Sequence, residues 1–337
     1  YYMDTLGVFI DRDMVQNVAT TTFTEGKHLI TLGFLTQIAV WGVLPAMAVF
    51  WTRLAPTRFL RAFAVNSGLF TLCIALTAGL LLTNFKTYAA IGREHKDLMA
   101  STQPGAPLVG AARYVKMITR SVNTEVAPAG ADAKKGDSYT AAAKPVLSIL
   151  VIGETARAQD FSLDGYERDT NPKLAKRDIV NFTNVHSCGT ATAVSMPCMM
   201  SKFDRSHYSY DKGVSNENLV DVLSHAGFHV EWWDNNTGDK GLADRVDMRS
   251  FTHIPNAEFC PSGECTDGIY RQYLEEAVAG IREDTVLVLH QIGSHGPTYY
   301  LRYPDEFERF KPACRTAEFK NCTEEEIRNS YDNTIPV

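Results

Sequence analysis

The sequence lacks charge over a long stretch. In the 57 residues from Leu29 to Phe85 the only charged side chains are Arg53, Arg58 and Arg61. It lacks a block of Lys and Arg, and its net charge is −6, so nucleic acid is not an expected partner. None of its seven cysteines forms a Cys-x-x-Cys pair, which argues against a zinc–thiolate cluster. No internal repeat is visible. With 45% hydrophobic and 21% charged residues, the whole is neither a disordered chain, a collagen nor a small disulfide scaffold. These averages conceal two parts, one for a membrane and one for water.

Leu29–Trp51 and Ala62–Phe85 are uncharged runs of 23 and 24 residues. A membrane helix needs about 20 apolar residues, so each is long enough to span. Pro45 and Gly79 inside them are tolerated in membrane helices. The loop between them carries Arg53, Arg58 and Arg61, which places it in the cytoplasm by the positive-inside rule. Both flanks, residues 1–28 and everything after Lys86, are then expected outside the cytoplasm. The sequence opens on Tyr1, with no signal peptide, and is expected to be a piece of a longer chain.

Six cysteines fall as local pairs: Cys188/Cys198, Cys260/Cys265 and Cys314/Cys322. Nearest-neighbour pairing gives three short disulfide loops and an oxidising compartment, although six cysteines allow fifteen connectivities. Cys73 lies in the second span as a small hydrophobe. The expected division is a membrane domain over 1–123, with surface helices after the spans, a linker rich in Ala, Gly, Pro and Lys over 124–144, and an α/β domain over 145–337.

In that domain, Val146–Ile152, Ile179–Val185, Phe228–Trp233 and Thr285–His290 are expected strands. Leu219–Ala226 and Ile269–Ile281 are expected helices. The alternation predicts a mainly parallel sheet flanked by helices, with its site beyond the strands' carboxyl ends. Polar clusters lie there. Gly153-Glu154 follows the first strand and could bind a metal or act as a base. A hydroxyl-rich run, Ser187 to Cys198, precedes a helix expected near Thr192, whose N-terminus would attract phosphate. Asn236 and Lys240 suit phosphate oxygens, and His295 sits in a Gly-rich loop. Each cluster alone could be ordinary loop chemistry; together they point to one site.

These motifs resemble the phosphoethanolamine transferases acting on lipid A, a family that includes the mobile colistin-resistance enzymes. The resemblance rests on Gly-Glu-Thr-Ala-Arg at 153–157, Asn-Phe-Thr-Asn-Val at 181–185, Ser-Cys-Gly-Thr-Ala-Thr-Ala at 187–193 and Pro197-Cys198-Met199. Asp234-Asn235-Asn236, Lys240-Gly241, His290-Gln291, Ser294-His295-Gly296-Pro297 and Tyr331-Asp332-Asn333 extend it. It implies an alkaline-phosphatase-like domain in the periplasm, with Thr192 as the nucleophile and Glu154 and Thr192 as zinc ligands. It implies that Asn236, Lys240 and His295 bind the phosphoethanolamine group, and it matches the three cysteine pairs. Asn17, Thr21 and Glu25, spaced four apart, share one face if helical and match the family's contacts from the membrane side. The implied donor is phosphatidylethanolamine, the acceptor lipid A, and the outcome polymyxin resistance.

One departure matters. The family's later Asp-His-Gly-Glu run, which completes its zinc site, does not occur before Val337. Glu154 and Thr192 alone leave zinc short of its usual four ligands, so the chain as written is expected to bind zinc poorly. The alternatives are another transferase of the superfamily with a different envelope acceptor, and a non-catalytic lipid-binding membrane protein. A sulfatase would need Cys-x-Pro-Ser-Arg, which is absent.

Overall fold

The structure, a computed structural model, describes residues 1–52, 58–94, 101–121, 124–252, 254–256, 258–261 and 263–336. Arg53 lies outside them, and the Glu25 side chain is not described. The principal helices are α1 (Arg12–Thr20), α2 (Leu32–Trp51), α3 (Phe59–Thr83), α4 (Phe85–Glu94), α5 (Gly105–Ser121), α6 (Thr192–Met199), α7 (Leu219–His225), α8 (Ile269–Gly280) and α9 (Glu324–Asp332). The strands are β1 (Leu147–Ile152), β2 (His229–Asp234), β3 (Asp247–Ser250) and β4 (Thr285–His290). The chain divides into two compact units, Tyr1–Arg12 with Leu32–Ala111, and Asp13–Thr31 with Ala112–Val337.

In the first unit α2 and α3 are both long and apolar enough to cross a membrane, and their most apolar stretches are 0% buried. A core helix of a soluble protein hides such a surface; these helices expose Trp41, Phe50, Phe63 and Leu80 among others. Within α2, Ala39–Val43 forms a π turn in which the Leu44 N–H reaches the Ala39 carbonyl. Pro45 follows directly and has no N–H to give, so the wider turn absorbs the missing bond.

The second unit is built on a four-stranded parallel sheet in the order β1-β4-β2-β3. All six residues of central β4 are buried, as a strand covered on both faces requires. Alternate side chains feed two cores. Val230, Trp232, Val286 and Val288 pack with Met196 and Val220 on one face. Trp233, Leu287 and Leu289 pack with Phe251, Ile269 and Tyr270 on the other. The register aligns Ile152, His290, Asp234 and Ser250 in one row at the carboxyl ends.

Three of the four expected strands form. Ile179–Val185 does not: it has no strand pairing among the described residues, and Val180, Phe182 and Val185 are exposed. An apolar run becomes a buried strand only where neighbours supply its ladder and its cover. Conversely, β3 has all four residues exposed and no alternating pattern that could reveal it. The 124–144 stretch is tied to the domain, with Ala127 bridging Asn216, the Ala129 N–H donating to Glu217 and Lys135 paired with Asp284 at 2.8 Å.

Candidate functional site

The row of strand ends sets the site's floor. After β1 the backbone turns sharply through Glu154 and Thr155. Thr155 has φ of 50°, a left-handed value costly for a β-branched residue, of order 1–3 kcal/mol. The turn is held from α9: the Tyr331 hydroxyl donates to the Thr155 carbonyl and accepts from the Arg157 N–H, each at 2.8 Å. Glu154 is buried as a result.

Thr192 is the first residue of α6. The preceding residue, Ala191, offers no side-chain cap, so the helix's N-terminal N–H groups keep their capacity for an anion. Ala193, Met196 and Cys198 bury the helix against the core, and the Cys188–Cys198 disulfide closes the hydroxyl-rich loop. The Thr192 hydroxyl donates to Glu154 Oε2 at 2.9 Å, joining two segments 38 positions apart. The other two disulfides are Cys260–Cys265 and Cys314–Cys322, so the pairing is local throughout.

Asn236 and Lys240 lie on the loop after β2. Buried Asp234 shapes that loop: its Oδ2 accepts from the N–H groups of Asn236 and Gly238, and its Oδ1 meets His290 Nδ1 at 2.6 Å. Asn236 Nδ2 donates to the Gln291 carbonyl at 2.7 Å, joining this loop to the one after β4. Lys240, with φ of 56°, curls back so that its ammonium reaches the Thr237 hydroxyl at 2.7 Å. His295 stands on the β4 loop. Its pKa is lowered, first by burial and then by the Arg302 charge, against an opposing pull from Glu154.

The sequence gives no sign of the carboxylate that joins these loops. Asp267 accepts from Asn235 Nδ2 and the Ile292 N–H, each at 2.9 Å, and from the Gly293 N–H at 2.8 Å. The residue keeps some exposed surface, but its carboxylate is enclosed. Burial raises its pKa, against those same donors and Arg302. Gly293 has φ of 50°, and a Cβ there would meet the Glu154 backbone at 2.8 Å. Only glycine lets the β4 loop lie against Glu154.

Asn17 and Thr21 are less regular than a single helical face. The helix α1 ends at Thr20, and Glu25 belongs to a separate short helix, Phe23–Gly26. Thr20 and Thr21 turn their hydroxyls back to the carbonyls of Gln16 and Asn17, at 3.0 and 2.7 Å, which competes with helix continuation. Gln16 and Thr20 line a cavity of about 290 Å³ with Ala193, Pro197 and Lys240, which brings this segment beside α6.

Glu154 and Thr192 offer two oxygen donors at one spot, of the roughly four a zinc ion takes. Among the described residues no group of three or more His, Cys, Asp or Glu side chains could hold a metal. The described residues do not by themselves complete a zinc site.

The depressed His295 fixes a pH dependence. His28 is lowered too, mainly by burial. The unfolded chain then binds more protons than the native state below about pH 6.5, so stability is lost as pH falls through that value. Thermal unfolding of the detergent-solubilised protein should show Tm decreasing on acidification from neutral pH, with a shallower slope in His295→Asn. Identical slopes would exclude His295 as a source.

The sulfatase family model matches residues 147–336, and that for phosphoethanolamine transferase EptA/EptB matches residues 1–118. Phosphoethanolamine transferase EptA of Escherichia coli K12 is 40% identical over 99% of this chain and 61% of its own length. Phosphatidylethanolamine transferase Mcr-1 of Escherichia coli is 34% identical over 99% of this chain and 64% of its own length. The solved integral membrane lipooligosaccharide phosphoethanolamine transferase A of Neisseria meningitidis superposes with a TM-score of 0.91 at 35% identity, over 99% of this chain and 62% of that one. The chain thus spans about three fifths of the length of these relatives.

Proposed function

The chain belongs to the sulfatase family, in the alkaline phosphatase superfamily, and from that premise we propose that it acts in phosphoethanolamine transfer to lipid A. The observation that carries the reading is the Thr192–Glu154 bond at the head of α6, with Asn236, Lys240 and His295 on the two adjoining loops. The proposed donor is phosphatidylethanolamine and the acceptor a phosphate of lipid A. The proposed setting is the inner membrane, with the 145–337 domain in the periplasm, where its disulfides persist.

Two transfers follow. The Thr192 oxygen attacks the donor phosphorus while its proton passes to Glu154 Oε2, the acceptor it already faces. The bond from phosphorus to the glycerol oxygen breaks, and diacylglycerol leaves with that proton. A lipid A phosphate oxygen then attacks the phosphoethanolamine–Thr192 ester as its proton passes to Glu154, the bond from phosphorus to the Thr192 oxygen breaks, and Thr192 leaves with that proton. N-terminal N–H groups of α6, Lys240 and His295 stabilise the phosphoryl oxygens. Asn17, Thr21 and Glu25 are proposed to meet the ethanolamine. Zinc, of which Glu154 and Thr192 would be two ligands, supplies Lewis acidity when bound.

The product carries an added ammonium, so the outer surface becomes less anionic and attracts cationic polymyxins less. The experiment is direct. Full-length protein is incubated with phosphatidylethanolamine and digested, and the peptide bearing Thr192 is examined by mass spectrometry. A phosphoethanolamine ester on Thr192 is the expected result; release of diacylglycerol with no ester on that peptide overturns the mechanism.

A further inference from the structure

Buried charges outside the reacting groups gather at Glu264. Glu264 falls between the two cysteines of the Cys260–Cys265 disulfide in sequence. One oxygen, Oε2, takes the Arg302 guanidinium at 2.7 Å; the Arg302 side chain is 1% exposed. The same guanidinium donates through Nε to the His295 carbonyl at 2.8 Å and through Nη2 to the Thr298 hydroxyl at 3.4 Å. The other oxygen, Oε1, faces His28 Nε2 at 3.5 Å, and among the described residues neither of these buried atoms has a hydrogen-bond partner. His28 lies in the turn Lys27–Leu29, directly after the segment bearing Asn17, Thr21 and Glu25 and just before the apolar helix α2.

One carboxylate therefore touches both halves of the proposed donor site. Through Arg302 it holds the His295 loop from behind. Its other oxygen meets His28 of the segment 13–31 across 3.5 Å, a close approach without a hydrogen bond. Taking a guanidinium and a carboxylate out of water is costly, so a pair in this position contributes little to stability by itself and suits fixing geometry. We propose that Glu264 is a positioning residue that sets the spacing between the 13–31 segment and the His295 loop, and so controls capture of the phosphoethanolamine donor rather than bond-making at Thr192. This rests on the transferase reading above.

The test is a double-mutant cycle in the full-length enzyme, following diacylglycerol release from phosphatidylethanolamine in mixed micelles. His28→Ala should raise the donor KM by about tenfold and leave kcat within about twofold, the signature of lost binding. Glu264→Ala should raise KM at least as much, and the double variant should be no worse than Glu264→Ala alone, because both remove one joint. Glu264→Gln, which can still accept from Arg302 and bond a neutral imidazole, should restore donor KM to within about threefold of wild type. His28 is partly exposed, so its variant keeps the idea testable if Glu264→Ala folds poorly. An unchanged donor KM in His28→Ala, or losses that simply add, would overturn the proposal. A wild-type enzyme that releases no diacylglycerol would instead sink the transferase reading itself.

Discussion

Full-length protein carrying Thr192→Ala is expected to leave lipid A unmodified, a loss of at least about 10³-fold in transfer. The reason is positional. The Thr192 hydroxyl faces the buried Glu154 at 2.9 Å, at the start of a helix whose N-terminal N–H groups can receive phosphoryl oxygens. Alanine is a good helix former, so α6 and its packing through Met196 and Cys198 should persist. Thr190, exposed and two residues earlier, serves as the control: Thr190→Ala should transfer at near wild-type rate. Thr192→Ser, which keeps an oxygen at the same place, should retain part of the activity. Mass spectrometry of lipid A from cells with matched membrane levels of each variant reads all three. Persistent modification with Thr192→Ala would remove this residue from the chemistry.

The placement of Glu154 after a strand and of Thr192 at a helix start was legible because each follows a sequence sign: an apolar strand ending in Gly-Glu, and a hydroxyl cluster closed by cysteines. Central β2 and β4 were legible because burial imposes apolar content, and β1, at the sheet's edge with Ile149 and Val151 exposed, was legible from its apolar run alone. Where pairing rather than composition decides, the signal failed. Ile179–Val185 has the apolar content of a strand but no ladder among the described residues, and exposed β3 has a ladder without the content. The Asn17–Thr21–Glu25 spacing suggested one helical face, but three consecutive threonines end α1 at Thr20. The supports of the site were the least legible. Asp267, Glu264 and Arg302 look like surface charges in sequence, and only the meeting of remote loops turns them into buried struts. Tyr331 was visible as part of a motif, but its role of holding the strained turn at Thr155 depends on a contact 176 positions away.

Asp267 yields the largest expected stability change. Asp267→Ala takes one acceptor from Asn235 Nδ2, which keeps the Cys265 carbonyl, and removes the acceptor of the Ile292 and Gly293 N–H groups. Losing an acceptor shared by three enclosed donors should cost about 2–4 kcal/mol, after allowing for water reaching the vacated space. For a domain of this size that lowers Tm by roughly 5–15 °C, readable by thermal unfolding in detergent. Activity should fall as well, because the Gly293 turn lies against the Glu154 backbone and the Ser294 N–H donates to the Glu154 carbonyl at 2.9 Å. Asp267→Asn separates hydrogen bonding from charge. Its oxygen can still accept from Asn235 and Ile292, but its amide would face the Gly293 N–H, donor against donor. Its loss should therefore lie between wild type and alanine. The pH dependence carries a sign of its own. The folded pKa of Asp267 is raised by burial, so the native state holds its proton more tightly than the unfolded chain. Its contribution to stability is then complete below about pH 3.8 and declines as pH rises through the folded value. Asparagine does not titrate, so the gap between wild type and Asp267→Asn should narrow with rising pH. A gap that widens, or an alanine variant within about 0.5 kcal/mol of wild type, would mean that the strand-end loops are held by something other than this carboxylate.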